Sequence, residues 1–481
     1  MGQLTVVGLG PGRAETLTRE AWEVLSTAHE VWLRTTHHPC AQLVPQGPKV
    51  HSFDAVYERA ASFEDLYHQI AEDLLRLARR PEGVVYAVPG DPLVGDATVT
   101  QLLRQAEAQS VPVRLVHGLS FIEPVSGALG RDALDGLQIL DALELAQFLH
   151  PPFNPDLPAL VAHLRDRTLA SEVKLALMNQ YPDEHPVKLI EAVGLPGQRV
   201  TGLALYELDQ RDFDPFAVLY ISPLPPVSSF EGFQQTIARL RAPNGCPWDR
   251  EQTHQSLRPN LLEEAYEVLE ALDADDPEKL REELGDLLLQ IVLHAQIATD
   301  EGEFQMPEVI AAIDAKIKRR HPHVWGTVQV NGVAEIGENW ERIKRAERAG
   351  KGEAQKSLLA GVPRSLPALA QAQAYGARAA RVCFDWERLE DVIQNLEHEI
   401  EELKAAETAE EREHEMGDVL FSVVQWARWL GIDAETALRA SNQRFAQRFA
   451  YVEAQAQAAG LSVDKMDAET LDALWKEAKA Q

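Results

Sequence analysis

The chain has 481 residues, which at about 150 residues per domain leaves room for about three domains. With 45% hydrophobic and 25% charged residues, it is not a wholly disordered, collagen-like or coiled-coil protein. Its 46 basic and 75 acidic residues give a net charge of −29, which argues against sequence-independent binding to nucleic acid or anionic membrane, because such binding needs lysine and arginine to neutralise phosphates. We therefore expect any phosphate-bearing ligand to be held through divalent metal.

The three cysteines, Cys40, Cys246 and Cys383, are far apart in sequence and form no C-x-x-C pair. This spacing supports neither a disulfide framework nor a cysteine-rich zinc site. The N-terminal segment MGQLTVVGLGPG lacks the basic region of a signal peptide, and no segment offers the roughly 18 to 20 uncharged apolar residues of a membrane helix. The sequence predicts a soluble protein of the reducing cytoplasm, with no nucleic acid or membrane partner.

The first part of the chain reads as an α/β domain, because short apolar runs alternate with helical stretches. The β-type runs cover residues 4–7, 84–88 and 113–116, and the helical stretches include 19–26 and 66–78. This alternation continues over about the first 220 residues and predicts a sheet with helices packed on it.

A glycine-rich turn follows the first apolar run, with Gly8, Gly10 and Gly12 in the segment LTVVGLGPG. Glycine lets the backbone approach a ligand closely. The spacing is G-x-G-P-G, and no G-K-[ST] follows, so neither a dinucleotide fingerprint nor a P-loop is supported. Alone, the segment fits a tight turn as well as a binding loop. Two further loops, residues 88–98 and 117–126, also follow predicted strands.

Two breaks divide the rest of the chain. The proline- and serine-rich segment 223–229 predicts an interdomain linker, and nearly everything after it is helical. A second predicted linker, residues 349–366, contains Gly350, Gly352 and Gly361 and divides the helical region in two. The predicted domains cover residues 1–222, 230–348 and 367–481.

Capping patterns predict three helix starts in the helical region. They are Ser228 with Glu231, Asp276 with Pro277, and Thr408 with Glu411. After the second start, leucine and isoleucine recur at helical spacing and predict a stripe that faces a core. The stripe consists of Leu280, Leu284, Leu287, Leu288 and Ile291.

The two halves of the helical region repeat each other. Glu264 and Glu267 pair with Glu399 and Glu402, Glu283 and Asp286 with Glu415 and Asp418, and Lys316 and Arg320 with Arg444 and Arg448. We call Glu264, Glu267, Glu283 and Asp286 the first quartet, and Glu399, Glu402, Glu415 and Asp418 the second quartet.

Within each quartet, two carboxylates stand three residues apart on each of two consecutive helices and so share a helix face. Crowding four like charges is costly unless a cation offsets them, because each carboxylate raises the pKa of its neighbours. Oxygen ligands without His or Cys suit Mg²⁺, or Mn²⁺, better than Zn²⁺. One such pair would read as a solvated helix face, whereas two pairs beside an apolar stripe, repeated, predict a metal site.

Basic residues downstream of each quartet complete a candidate triphosphate site, since metal and cations together stabilise charge on phosphates. The predicted phosphate contacts are Lys316, Arg320, Arg444 and Arg448. Alternatively, these basic residues only balance the negative charge of the neighbouring acidic side chains. His398 and His414 each stand next to a predicted ligand, either as neighbours of the site or as surface residues.

Five motifs resemble the MazG family of nucleoside triphosphate pyrophosphohydrolases in its two-copy form. They are C-P-W-D at 246–249, L-L-E-E-A-Y-E at 261–267, E-E-L-G-D-L-L at 282–288, R-R-H-P-H at 319–323 and A-R-V-C-F-D-W at 380–386. The resemblance implies an all-α, usually dimeric fold in which the quartets hold magnesium. It also implies that water attacks between the α and β phosphates and releases nucleoside monophosphate and pyrophosphate, with broad nucleotide specificity. Glu267 and Glu402 are the candidate general bases, although no spacing singles them out.

The three loops of the first part resemble the tetrapyrrole (corrin/porphyrin) methylase family over residues 1–222. The resemblance implies a two-lobed α/β fold that binds S-adenosylmethionine in a cleft. The loop residues that it assigns to the cofactor are Gly90, Asp91, Pro92, Ser120, Phe121 and Ile122, beside Gly8, Gly10 and Gly12. Phe121 departs from the small or hydroxylated residue that is common there.

The expected architecture is a two-lobed, tetrapyrrole methylase-like α/β domain followed by two all-α MazG-like domains. Three functions are compatible with it. The first is a metal-dependent triphosphate pyrophosphohydrolase, a homodimer through its helical domains, whose N-terminal domain binds S-adenosylmethionine. The second is an S-adenosylmethionine-dependent methyltransferase with the helical half as an assembly module, and the third is a non-enzymatic helical scaffold. The repeated quartets favour the first.

Overall fold

A computed structural model of the protein describes residues 2–59, 63–212, 214, 216–225, 227–350 and 357–480. The chain forms two compact units, Met1–Arg250 and Glu251–Gln481. The first contains both sheets, and the second is helical. The α/β character of the first part and the helical character of the second, both predicted from the sequence, are confirmed.

The first unit begins with a five-stranded parallel sheet in the order β3-β2-β4-β1-β5. Its elements are β1 (Leu4–Gly8), α1 (Arg19–Thr27), β2 (Glu30–Leu33), β3 (Lys49–Ser52), α2 (Asp54–Tyr57), α3 (Phe63–Ala78), β4 (Val84–Val88), α4 (Ala97–Ala108), β5 (Val113–Val116) and α5 (Ile122–Leu129). The interior strand β1 is buried along its whole length, as expected for a parallel sheet covered on both faces. Because its strands are parallel, the loops that follow β1, β4 and β5 emerge at one edge of the sheet.

A second, mixed sheet follows in the order β6-β7-β10-β8-β9. Its elements are β6 (Gln138–Asp141), α6 (Ala142–Leu145), β7 (Ala159–Leu164), α7 (Arg167–Leu177), β8 (Pro186–Glu191), β9 (Arg199–Ala204) and β10 (Ala217–Ile221), followed by helices α8 (Phe230–Arg241) and α9 (Pro247–Glu251). Only the β6–β7 pair is parallel. The two sheets form the two lobes expected from the sequence.

Helix α8 starts one residue later than its capping pattern predicts. Ser229, and not Ser228, is the N-cap, and its hydroxyl accepts a hydrogen bond from the Gly232 amide at 2.9 Å. The reason is a distant carboxylate: Asp156 accepts hydrogen bonds from the amides of Ser228 and Ser229 and from the Ser229 hydroxyl. The Ser228 hydroxyl instead donates to the carbonyl of Pro225.

The second unit is built from helical hairpins. Its helices are α10 (Arg258–Asp273), α11 (Pro277–Glu301), α12 (Met306–Arg320), α13 (Pro322–Trp325), α14 (Val333–Gly350), α15 (Ala368–Ala380), α16 (Leu389–Ala405), α17 (Ala409–Trp429), α18 (Ala434–Ala458) and α19 (Ala468–Ala480). The caps predicted at Asp276 and Thr408 are confirmed, since both side chains accept backbone amide hydrogen bonds at the starts of α11 and α17. Of the predicted linker 349–366, residues 351–356, with Gly352, lie outside the described residues.

Three of the five residues of the predicted apolar stripe on α11 do not face a core as expected, while Leu280 and Leu287 are half-buried. Leu284, Leu288 and Ile291 are 49%, 38% and 45% exposed, whereas Val292 and Ile297 are buried. A two-helix hairpin covers only one side of each helix, so the other side stays open unless a further element packs on it.

Within the described part of the chain, no helix is both long enough and apolar enough to cross a bilayer.

Candidate functional site

The first quartet lies along the contact between the antiparallel helices α10 and α11. Glu264 and Glu267 are one turn apart on α10, and Glu283 faces them from α11. Each of these three residues offers a carboxylate oxygen, and the three oxygens lie within 4.8 Å of one another. The hairpin thus brings together side chains that are up to 19 positions apart in sequence.

Electrostatic repulsion is concentrated in this cluster. Burial raises the pKa of Glu264, and the charges of Asp286 and Glu267 raise it further. The pKa of Glu283, which is only 9% exposed, is raised by burial and then by Glu267. Lys279 partly counteracts the shift of Glu283, but its ammonium is paired with Glu270 at 2.9 Å. The protein therefore holds crowded negative charge without a matching cation of its own among the described residues.

The second quartet has the same arrangement on α16 and α17. Glu399, Glu402 and Glu415 offer carboxylate oxygens within 4.8 Å of one another. Burial raises the pKa of Glu399, and the charge of Asp418 is the next cause, followed by those of Glu402 and Glu415. In both hairpins the fourth, aspartate member acts on the cluster through its charge.

The histidines beside the second quartet are surface residues that face their own helix. His398 Nδ1 lies 3.5 Å from Glu402 Oε2, and His414 Nε2 lies 3.5 Å from Asp418 Oδ2. Both imidazoles are largely exposed. They are neighbours of the predicted ligands, one helical turn away, and leave the oxygen cluster intact.

Of the four predicted phosphate contacts, Arg320 is held in place by neighbouring side chains. Arg320 is held by Glu347 of α14, with Nη2 2.7 Å from Oε2, and its guanidinium lies over the Trp340 ring at 5.3 Å. Arg319 reaches the same carboxylate at 2.6 Å, and the two arginines lower the pKa of Glu347 to about 2. Among the described residues, the ion pairs of the quartets are those of Glu402 with His398 and of Asp418 with His414, and none joins a quartet to Lys316, Arg444 or Arg448. Sequence reasoning missed Glu347, because no spacing pairs it with Arg320.

The three glycine-rich loops of the first unit meet at the carboxyl edge of the parallel sheet. The Gly10 amide donates to the Gly90 carbonyl at 3.1 Å, and the Gly90 amide donates to the Gly10 carbonyl at 2.9 Å. A Cβ on Gly8 would lie 2.6 Å from the Gly90 carbonyl oxygen, and one on Gly118 would lie 2.4 Å from it. Only glycine fits where these backbones touch, and Gly118 was not among the predicted residues.

Side chains of the second and third loops tie these loops together. Asp91 is buried, its Oδ2 lies 2.8 Å from His117 Nδ1, and it accepts a hydrogen bond from the Gly118 amide. Ser120 donates to Glu123 Oε2 at 2.6 Å and accepts from the Ile122 amide at the start of α5. Asp91 and Ser120 thus fix the loop backbones, while Pro92 is buried and Phe121 lines the adjoining cavity.

That cavity has a volume of about 1180 Å³. Gly90 lies on its wall, and a Cβ on Gly90 would meet no atom within 4 Å, so the loop leaves room for a ligand against its backbone. Arg34 and Asp96 form an ion pair there at 3.3 Å. His163, whose φ is +62°, also lines it and is bound through Nδ1 to Asp141 at 2.6 Å. No motif in the sequence marks either pair.

Two sequence families match different parts of the chain. The profile for the MazG nucleotide pyrophosphohydrolase domain matches residues 252–325, which contain the first quartet. The profile for Tetrapyrrole (Corrin/Porphyrin) Methylases matches residues 3–209, which contain the three glycine-rich loops. The hairpin with the second quartet lies outside both matched ranges.

This chain covers nearly the whole length of three relatives. Uncharacterized protein YabN of Bacillus subtilis (strain 168) is 39% identical over 495 aligned positions, covering 99% of this chain and 98% of that protein. A nucleoside triphosphate pyrophosphohydrolase of Escherichia coli (strain K12) is 46% identical and covers 50% of this chain and 94% of that protein. The nucleoside triphosphate pyrophosphohydrolase/pyrophosphatase MazG of Thermotoga maritima is 41% identical and covers 52% of this chain and 95% of that protein.

The crowding of the first quartet predicts that removing one of its charges stabilises the metal-free protein. We expect Glu264→Gln, which keeps the shape of the side chain, to raise the thermal unfolding midpoint of the chelator-treated chain by roughly 1–3 °C at neutral pH. The gain should shrink as the pH falls through the raised pKa of Glu264, because the folded wild type then takes up a proton that the unfolded chain still lacks.

Glu263→Gln is the matched control, since it removes the same charge from the exposed neighbouring position on α10. Scanning calorimetry of both variants in chelator measures the difference. Equal midpoints for the two variants would contradict electrostatic crowding in the quartet.

Proposed function

The chain belongs to the MazG family of nucleotide pyrophosphohydrolases, with a tetrapyrrole methylase domain ahead of the MazG region, and on that premise we propose that it hydrolyses nucleoside triphosphates to nucleoside monophosphate and pyrophosphate. The observation that carries this proposal is the pair of carboxylate clusters, each with three oxygens within 4.8 Å of one another. Broad nucleotide specificity, as in nucleotide-pool housekeeping, is part of the proposal.

Both quartets fit a hard divalent cation. Their donors are carboxylate oxygens only, and the like-charge crowding in each hairpin is what a cation would relieve. We propose Mg²⁺, or Mn²⁺ in its place, held by the four carboxylates of each quartet. When bound, the cation supplies positive charge against the phosphate oxygens and so stabilises the charge that develops during bond cleavage.

Glu267 and Glu402 are the proposed proton acceptors. Glu267 acts electrostatically on both Glu264 and Glu283, so it stands between the two helices of its hairpin. In the proposed step, a water oxygen attacks the α phosphorus and the bond from that phosphorus to the α,β-bridging oxygen breaks. The carboxylate takes the proton of the attacking water, and pyrophosphate leaves.

The basic side chains would face the leaving phosphates. Lys316, Arg444 and Arg448 are the proposed direct contacts, because no described ion pair engages them. Arg320 is a different case, since Glu347 occupies its guanidinium. We propose that Glu347 holds Arg320 against Trp340 in a fixed orientation for a phosphate oxygen.

A second copy of the chain is the proposed partner of the helical unit. The exposed faces of α11 and α17 carry Leu284, Leu288, Leu420 and Phe421, which are at least 38% exposed. Burying apolar surface of this kind is the main driving force for association. A homodimer through the helical domains would cover these faces and close a bundle around the quartets.

The remaining proposals concern boundaries and location. The division into domains 1–222, 230–348 and 367–481 is proposed from the linker composition and the repeat. The cytoplasm is the proposed compartment, since all three cysteines are free. Nucleic acid is not among the proposed partners, given the net charge of −29.

A second candidate function concerns the first unit. The three glycine-rich loops converge on a cavity of about 1180 Å³, and Gly90 leaves open space on its wall. We propose that this cavity binds S-adenosylmethionine, whose sulfonium methyl group would make the chain a methyltransferase if an acceptor also binds. The proposed contacts are the backbones of Gly8, Gly10, Gly12, Gly90 and Ile122 and the side chains or backbones of Asp91, Pro92, Ser120 and Phe121.

The hydrolase proposal predicts pyrophosphate release from a panel of nucleoside triphosphates by the full chain, with monophosphate as co-product. Release should require Mg²⁺ and stop in EDTA. The double variant Glu267→Gln with Glu402→Gln should lose at least about 100-fold in rate, because both proposed proton acceptors become amides. A coupled pyrophosphate assay with chromatography of the nucleotides measures both products.

The control is Glu263→Gln with Glu401→Gln, which removes two charges from neighbouring, exposed positions on the same helices. It should keep wild-type activity. Pyrophosphate release at the wild-type rate by the Glu267→Gln, Glu402→Gln protein would sink the proposal.

The cofactor proposal predicts saturable binding of S-adenosylmethionine to the full chain by calorimetry. Asp91→Asn should weaken binding at least tenfold, because it loosens the His117 and Gly118 contacts that position the loops. Asp132→Asn is the control, since this exposed carboxylate accepts a local hydrogen bond from the Leu134 amide. If calorimetry of the wild type shows no saturable binding of S-adenosylmethionine, the second candidate function is excluded.

A further inference from the structure

A group of histidine and glutamate side chains gathers at the open end of the α10–α11 hairpin, away from the quartets. His254 lies in the segment just before α10, and His294 and Glu301 lie two turns apart on α11. Glu303 follows Gly302, whose left-handed φ of +74° ends α11 and turns the chain back. Neither the predicted metal sites nor the proposed reaction uses these four residues.

The atoms approach one another closely. His254 Nδ1 lies 2.8 Å from His294 Nδ1, and the two rings are stacked with centroids 5.1 Å apart. On its other side, His254 Nε2 lies 3.7 Å from Glu303 Oε2. His254, Glu301 and Glu303 each offer one ligand atom, and the three atoms lie within 4.8 Å of one another.

The His254–Glu303 distance suits a shared metal ion better than a direct hydrogen bond. A nitrogen–oxygen separation of 3.7 Å is too long for a hydrogen bond. Two ligands that are each about 2.1 Å from a tetrahedral ion stand about 3.4 Å apart. A small inward movement of the exposed Glu303 side chain would therefore complete such a pair.

The donor chemistry differs from that of the quartets. An imidazole nitrogen with two carboxylates is a ligand set for Zn²⁺ and other borderline transition metals, whereas the all-oxygen quartets suit Mg²⁺. With Nε2 toward the ion, His254 carries its proton on Nδ1 and donates it to His294 Nδ1. Such a hydrogen bond from the second ring nitrogen commonly orients a metal-bound histidine.

In sequence, the second half of the repeat keeps the carboxylates and lacks the imidazoles. Ten positions before the first glutamate of the quartet, His254 is replaced by Leu389, and eight positions after the aspartate, His294 is replaced by Trp426. The positions of Glu301 and Glu303 carry Asp433 and Glu435, which lie at the start of α18. Because no histidine accompanies these carboxylates at the corresponding positions, they offer an internal control.

We propose that His254, Glu301 and Glu303 bind a Zn²⁺ ion, with His294 as a positioning residue. The ion would tie the segment before α10 to the end of α11 and so clamp the open end of the hairpin that carries the first quartet. Binding a metal to the folded state alone stabilises that state. The proposed zinc site is thus structural and is separate from the proposed Mg²⁺ sites in the quartets.

Cobalt(II) is the spectroscopic probe for this site. The full chain, freed of metal with a chelator and then given excess Mg²⁺ to fill the quartets, should bind Co²⁺ with visible absorption bands of a low-coordinate nitrogen- and oxygen-ligated ion. Zn²⁺ should displace the bands and raise the unfolding midpoint of the protein. The quartet variant Glu264→Gln with Glu267→Gln should keep them.

Variants of the four residues separate ligation from positioning. Glu303→Gln, at an exposed position that tolerates the change, should weaken Co²⁺ and Zn²⁺ binding at least tenfold, while Glu435→Gln at the start of α18 should leave it unchanged. His254→Gln should remove the bands. His294→Asn should lower affinity about 10- to 100-fold without shifting the bands, because the ligand set is kept.

Three results would overturn the proposal. They are the absence of Co²⁺ bands from the wild type, bands of unchanged affinity in Glu303→Gln, and bands that vanish in the quartet variant. The last result would place the bound cobalt in the quartet. If His254→Gln fails to fold by circular dichroism, the comparison of Glu303→Gln with Glu435→Gln decides the question alone.

Discussion

Like-charge crowding between two antiparallel helices is the constraint on which the helical unit depends. Each hairpin holds three carboxylates whose oxygens lie within 4.8 Å of one another, and burial together with neighbouring charge raises the pKa values of Glu264, Glu283 and Glu399. A bound cation would offset such repulsion. The same hairpins leave apolar faces open, which the proposed second copy of the chain would cover.

Patterns within short stretches of sequence correctly predicted many of the helix starts and strands. The caps at Asp276 and Thr408 follow from side chains that reach amides two or three residues away, and the strands of the parallel sheet follow from short apolar runs. The repeat placed corresponding carboxylates on successive helices, and the hairpins bring three of each four together. These features were predictable because their determinants lie within a few residues, or one hairpin, of each other.

What the sequence could not supply depends on contacts between distant segments. Ser229 caps α8 in place of Ser228 because Asp156, far away in sequence, captures both amides. Glycine is needed at position 118 because its backbone meets those of Gly8 and Gly90. Glu347 binds Arg320 from another helix, and no sequence motif predicts this ion pair. The exposure of Leu284, Leu288 and Ile291 on α11 likewise depends on which other elements pack against that helix, and the helix's own sequence does not specify this.

The most direct test of this account is anomalous X-ray scattering at the manganese edge from crystals of the full chain. The crystals should contain Mn²⁺ and a nucleoside triphosphate analogue with a methylene group in place of the α,β-bridging oxygen. The account predicts manganese within coordination distance of the carboxylates of the first and second quartets, next to the α phosphate of the analogue. Analogue bound elsewhere, with no manganese at either quartet, would contradict it.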